Sequence, residues 1–142
     1  MMNVKAIVFD LDGTLYDSAG LPFHLIVKEL CRGRLGLLYS ERCIRRKFAG
    51  KDFGSCEKLY EEFFKAMGKM CGCSARKARE WYFTVYMKDM VKALGRHFSA
   101  RNGLESLLDR LDKKGIKTAV FSDYGCMERK MMAWGIDCSR FS

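Results

Sequence analysis

Two aspartates stand one residue apart directly after an apolar run near the start of the chain, in the stretch VKAIVFDLDGTLYDS. Asp10 and Asp12 point to the same side of an extended chain, because side chains alternate along a strand. A divalent cation allows two such carboxylates to stay ionised together, and Mg²⁺ prefers hard oxygen ligands. One carboxylate could then attack an electrophile while the other handles a proton. Gly13 permits a sharp turn of the backbone, and Thr14 offers a hydroxyl and an amide to the same pocket.

The elements that must position these residues form an α/β pattern. Residues 4–9 (VKAIVF) and residues 117–121 (KTAVF) are short apolar runs that end in polar residues, as buried parallel strands do. A helical pattern, GLESLLDRLDKKG, directly precedes the second run. Strand, helix and strand form a β–α–β crossover, which places the carboxyl ends of both strands at one edge of a parallel sheet. In open α/β sheets that edge binds ligands, and Ser122 and Asp123 follow the second strand there.

The chain between the two strands is helical in pattern and far longer than a crossover needs. Ser55 can cap a helix over residues 56–70. Ser74 can cap a longer helix over residues 75–94, which we expect to close at Gly95. Most of this segment therefore forms an inserted helical module.

The net charge of +9 is concentrated in this insertion, because residues 20–100 carry 17 basic and 8 acidic residues. A basic surface attracts phosphate, in a small molecule or in nucleic acid, although it is more often a solvated face. Nucleic-acid binding by this segment is a further hypothesis that charge alone supports, because the chain has no recognised nucleic-acid motif.

The composition also bears on the compartment. No run approaches the roughly 18 apolar residues of a membrane span, so we expect no membrane partner. The seven cysteines are scattered and odd in number, and no export signal is evident at the N-terminus. Both features favour reduced thiols and a cytoplasmic location.

The stretch DLDGTLYDS, placed after a hydrophobic strand, resembles the first motif of the haloacid dehalogenase (HAD) superfamily, Asp-x-Asp-Gly-Thr. The resemblance implies that Asp10 is the nucleophile and forms a phosphoaspartate. It implies that Asp12 protonates the leaving oxygen and later helps to activate water. It also implies a Mg²⁺ ion held by the Asp10 carboxylate and the main-chain carbonyl of Asp12. Because expulsion of an alkoxide from a phosphate ester needs a proton, an aspartate at position 12 favours a phosphatase or phosphomutase.

The second strand and its end, TAVFSD, resemble the second motif of the same superfamily. The resemblance implies that the Ser122 hydroxyl and the Asp123 amide bind phosphoryl oxygens, and that Gly13 and Thr14 line the same pocket. The insertion resembles the helical cap of the first type. We therefore predict a partial Rossmann-like HAD core formed by residues 1–18 and 101–142. Residues 19–100 form the helical cap in this prediction.

Two elements of the superfamily pattern have no counterpart in the sequence. One is a lysine well beyond Ser122 that stabilises the phosphoryl charge, and the other is a later acidic pair that completes the Mg²⁺ site. Lys130 lies in the helix that directly follows the second motif, so its position does not match that lysine. Three interpretations fit: an N-terminal fragment of a longer enzyme, a homodimer that covers the open core, or a non-catalytic remnant that binds phosphate or a partner. The first interpretation predicts a Mg²⁺-dependent phosphatase of a small phosphorylated metabolite.

Overall fold

The computed structural model describes residues 4–122 and 125–141. The chain divides into two compact units, the first comprising Met1–Pro22 and Asp89–Ser142 and the second Phe23–Lys88. In the described residues the strands are β1 (Ala6–Asp10) and β2 (Lys117–Phe121). The helices there are α1 (Leu21–Cys31), α2 (Leu35–Phe48), α3 (Cys56–Cys71), α4 (Ala75–Trp81), α5 (Met87–His97), α6 (Leu104–Lys113) and α7 (Met127–Ala133). Turns with π-helical hydrogen bonds follow β1 (Leu11–Leu15) and α4 (Tyr82–Tyr86), and a 3₁₀ turn follows α7 (Cys138–Arg140). Within the described ranges no helix has both the length and the apolar character needed to cross a bilayer.

The sheet of the first unit confirms the parallel pairing expected of an α/β fold. β1 and β2 pair in parallel, with Ala6 opposite Lys117 and Asp10 opposite Phe121. β1 begins later than predicted and extends to Asp10, because the pairing with β2 continues as far as Phe121. The carboxyl ends of the two strands therefore lie side by side.

One face of this sheet carries the hydrophobic core of the first unit. Phe9 and Val120, which are paired in the sheet, pack against that core. The buried core residues are Leu11, Leu15, Leu104, Leu108, Met131 and Ile136. The opposite face is open, since Val8 is 66% exposed and Phe121 is 58% exposed. A second copy of the chain that covers this face stays a prediction.

The second unit is built on α2, α3 and α4, in which α3 packs against both of the others. Both predicted serine caps are confirmed. The Ser55 hydroxyl accepts a hydrogen bond from the Lys58 amide at 3.2 Å, and the Ser74 hydroxyl accepts one from the Lys77 amide at 3.2 Å. These caps satisfy amide groups at the starts of α3 and α4 that have no partner within the helix.

The predicted end of the long helix at Gly95 is wrong, because α5 continues to His97. A side chain at Gly95 would place its Cβ 3.3 Å from the Ala133 carbonyl oxygen and 3.4 Å from the Ala133 Cβ. Glycine here therefore permits a close approach between α5 and the end of α7, instead of terminating the helix.

A matched pair of glycine substitutions tests the packing around α3. A Cβ at Gly68 would lie 2.6 Å from the Cys73 carbonyl oxygen, whereas a Cβ at Gly36 in α2 would meet no atom within 4 Å. We expect Gly68→Ala to lower the free energy of unfolding by about 1–3 kcal/mol, because the backbone must move. We expect Gly36→Ala to raise it by about 0.5–1 kcal/mol through helix propensity. Urea titrations of the two variants give both values, and equal effects would contradict the packing.

The hydroxyl of Tyr82 gives the second unit a pH dependence. Tyr82 is buried against Phe63 and Phe64, and this burial raises its pKa from 10.0 to about 12 despite a 3.1 Å hydrogen bond from Arg45. The folded state thus keeps the phenolic proton to a higher pH than the unfolded state does. The stabilisation is complete below pH 10 and is lost as pH rises through the folded-state pKa.

We therefore expect the free energy of unfolding to fall by about 1.4 kcal/mol per pH unit above pH ~10 because of Tyr82 alone. Urea titrations of the wild type and of Tyr82→Phe at several pH values between about 9 and 11 isolate this contribution. The variant should show a shallower pH dependence, and identical slopes would contradict the assignment.

Candidate active site

The first carboxylate of the site lies at the end of β1. Asp10 is exposed, and its Oδ2 accepts a hydrogen bond from the Thr14 hydroxyl at 2.9 Å. Leu11, the next residue, is fully buried in the core beneath the sheet. The alternation of side chains thus turns Leu11 inward and leaves the Asp10 carboxylate open to a ligand.

The turn after β1 holds the second carboxylate. Gly13 has a φ of +94°, a backbone conformation that glycine adopts without the steric penalty of a side chain. The guanidinium of Arg101 donates to the carbonyl oxygens of Thr14 at 2.7 Å and of Gly13 at 2.9 Å. Leu15 is buried in the core. The contacts of Arg101 and Leu15 therefore hold the turn in place, which sets the direction of the Asp12 side chain.

Three side chains donate hydrogen bonds to the Asp12 carboxylate. Its Oδ1 accepts from the Tyr16 hydroxyl at 2.8 Å and from Lys130 Nζ at 2.8 Å. Its Oδ2 accepts from the Ser122 hydroxyl at 2.6 Å and from Lys130 Nζ at 3.0 Å. The donors come from the turn after β1, the end of β2 and α7, so three elements converge on one carboxylate.

The predicted site residues of the described chain lie at one edge of the sheet. Asp10, Asp12, Gly13 and Thr14 follow one another from the end of β1, and Ser122 reaches Asp12 from the end of β2. Asp123, the remaining predicted residue, lies outside the described residues. The chemical roles assigned to these residues stay predictions.

Lys130 and Tyr16 are site residues that sequence reasoning missed. The position of Lys130 in the helix that follows β2 does not fit the superfamily pattern, yet its ammonium forms an ion pair with Asp12 and its side chain is fully buried. The neighbouring Met131 is also buried, so this part of α7 faces the interior. The sequence offered only an apolar neighbour, Met131, as a signal, and that does not tell which way the helix faces.

The side chains also limit which residues could hold a metal ion. The described residues contain no group of three or more His, Cys, Asp or Glu side chains that could hold a metal ion. The exposed Asp10 carboxylate and the main-chain carbonyl of Asp12 are oxygen donors of the kind that Mg²⁺ accepts. This pair does not require the Asp12 carboxylate, whose two oxygens already accept hydrogen bonds from Lys130.

The paired acids after β1 and the serine after β2 lie at the edge where open α/β sheets bind ligands. A family model described as haloacid dehalogenase-like hydrolase matches residues 4–127. The chain therefore belongs to the haloacid dehalogenase-like hydrolase family, as its first motif indicated. No curated protein and no solved structure matches the chain.

Proposed function

We propose that the protein is a Mg²⁺-dependent phosphatase that hydrolyses a small phosphorylated metabolite through a phosphoaspartate at Asp10. The observation that carries the proposal is the arrangement at the sheet edge. An exposed carboxylate ends β1, and a second carboxylate, fixed by hydrogen bonds from three side chains, follows two residues later. The membership of a hydrolase family supports the same chemistry.

Asp10 is the nucleophile in this proposal, because its carboxylate is exposed at the end of a rigid strand. An Asp10 carboxylate oxygen forms a bond to phosphorus while the ester bond between phosphorus and the leaving oxygen breaks. A water molecule then attacks phosphorus, releases inorganic phosphate and restores the carboxylate. Covalent catalysis of this kind divides one difficult displacement into two easier ones.

Asp12 handles the protons of both steps in this proposal. It first takes up a proton, gives this proton to the leaving oxygen in the first step, and takes one from the attacking water in the second. The proton that Asp12 gives away in the first step is replaced in the second, so the cycle leaves Asp12 unchanged. General acid–base catalysis depends on geometry, and the four hydrogen bonds to the Asp12 carboxylate restrict its orientation.

The phosphoryl group of the substrate is proposed to bind beside Ser122, Thr14 and Gly13. The Ser122 hydroxyl donates to Asp12 in the structure. We propose that it donates to a phosphoryl oxygen when substrate binds, and that the amides near Gly13 and Thr14 assist it. The Asp123 amide remains a proposed contact to the substrate.

The Mg²⁺ ion is proposed from the family and from the donors at this edge. The Asp10 carboxylate and the Asp12 carbonyl oxygen would hold it. When bound, the ion supplies positive charge that neutralises phosphoryl oxygens.

The charge of the second unit supports a phosphorylated substrate. Residues 23–88 carry 15 basic and 7 acidic residues, and two of those acids, Glu29 and Glu41, are buried. Glu29 and Glu41 pair with Arg32 and Arg45, and the remaining excess of basic residues gives this unit a net positive charge, which favours anionic ligands. We propose that it acts as the helical cap and helps to select the substrate.

A non-catalytic phosphate-binding protein is the second candidate. It is favoured by the Asp12 carboxylate, both of whose oxygens already accept hydrogen bonds from Lys130. Release of p-nitrophenol from p-nitrophenyl phosphate, measured with Mg²⁺ and with EDTA, separates the candidates. Turnover that requires Mg²⁺ supports the phosphatase. Binding of inorganic phosphate without turnover supports the second candidate.

A further inference from the structure

Lys130 is a buried cation that takes no direct chemical part in the proposed reaction. Its side chain has no exposed surface, and its ammonium lies 2.8 Å and 3.0 Å from the two oxygens of Asp12. A buried ammonium without a nearby anion is strongly destabilising, because its desolvation is not compensated. The fold therefore brings Lys130 and Asp12 together as a pair.

The donors around Asp12 are arranged so that each of its two carboxylate oxygens accepts hydrogen bonds. Lys130 bridges both oxygens, Tyr16 donates to one oxygen and Ser122 donates to the other. Charge-assisted hydrogen bonds of this kind are shorter and stronger than neutral ones. The Ser122 hydroxyl lies 2.6 Å from the Asp12 Oδ2, which is a short hydrogen bond.

We propose that Lys130 is the positioning residue of Asp12 and the centre of a carboxylate cradle that it forms with Tyr16 and Ser122. The cradle holds the Asp12 side chain in one orientation and supplies a counter-charge from within the fold. The positive charge of Lys130 offsets one of the two neighbouring acids at the strand end before any cation binds. The inference concerns the resting site and does not rest on the proposed phosphatase activity.

The cradle can be tested by removing the Asp12 carboxylate and adding a free carboxylate from solution. In Asp12→Ala the carboxylate is removed and the backbone is retained, so free formate is a close replacement for the missing group. We expect sodium formate to raise the melting temperature of this variant saturably, well above the effect of sodium chloride at equal ionic strength. At ten times its dissociation constant, formate favours the folded state about elevenfold.

The control variants decide whether the response depends on Lys130. Asp12→Ala combined with Lys130→Met should lose the formate response. Asp12→Ala combined with Arg129→Met, which removes an exposed charge from the adjacent residue of α7, should keep it. The same response in all three proteins, or a response no larger than that to chloride, would overturn the proposal.

A double-mutant cycle covers the case in which Asp12→Ala does not fold. Urea titrations of Asp12→Asn, Lys130→Met and the double variant give three changes in the unfolding equilibrium constant. We expect the product of the two single changes to exceed the change in the double variant at least tenfold, because contacting groups couple. Agreement within about twofold is the behaviour of independent sites and would reject the pairing.

Discussion

Asp10→Asn is expected to abolish phosphate-ester hydrolysis while leaving the fold intact. The amide has almost the same shape as the carboxylate, and Asp10 lies exposed at the end of β1, so little stability should be lost. An amide cannot replace the carboxylate as the attacking group. Loss of a covalent nucleophile commonly lowers kcat by about four orders of magnitude or more. Steady-state assays with p-nitrophenyl phosphate, at enzyme concentrations matched by circular dichroism, measure the effect.

Thr14→Val is the matched control for Asp10→Asn, because it removes only the hydrogen bond from the Thr14 hydroxyl to Asp10. We expect a loss far smaller than that of Asp10→Asn. Mg²⁺-dependent turnover that survives Asp10→Asn would falsify the assignment of the nucleophile.

Asp12→Asn is expected to slow hydrolysis in a way that depends on the leaving group. A carboxylic acid that protonates the leaving oxygen contributes about 10²- to 10⁴-fold, and most where the leaving group is a poor one. An alkyl phosphate should therefore lose far more activity than p-nitrophenyl phosphate, whose phenolate leaves without assistance. The measured quantity is the ratio of kcat for the two substrates in the wild type and in the variant.

This ratio is independent of the amount of folded enzyme, which matters because Asp12→Asn also removes the negative charge beside Lys130. Tyr16→Phe serves as a control, because it removes one hydrogen bond to Asp12 and leaves its carboxylate in place. We expect this control to change the ratio little. An equal loss on both substrates in Asp12→Asn would argue against Asp12 as the acid.

The sequence was sufficient to place the first carboxylates. The alternation from Phe9 to Leu11 buries Leu11 in the core and leaves Asp10 exposed, and a parallel strand ending at Phe121 places Ser122 at the same edge, beside Asp12. These predictions held because they depend on local periodicity and on the geometry of one crossover.

The role of α7 could not be predicted in the same way. Whether Lys130 reaches Asp12 depends on how α7 packs under the sheet, and helical periodicity alone does not give that direction. The end of α5 was mistaken for a similar reason. Gly95 looked like a terminator, but its lack of a side chain serves the approach of Ala133. Both errors concern contacts between elements that lie far apart in the sequence.

The most direct test of the central claim is detection of the covalent intermediate. The protein is mixed with a phosphorylated substrate and Mg²⁺, quenched in acid and digested, and its peptides are analysed by mass spectrometry. The account predicts one phosphoryl group on the peptide that contains Asp10, absent from Asp10→Asn. Turnover with a phosphoryl group on another residue, or with no covalent adduct at any quench time, would contradict it.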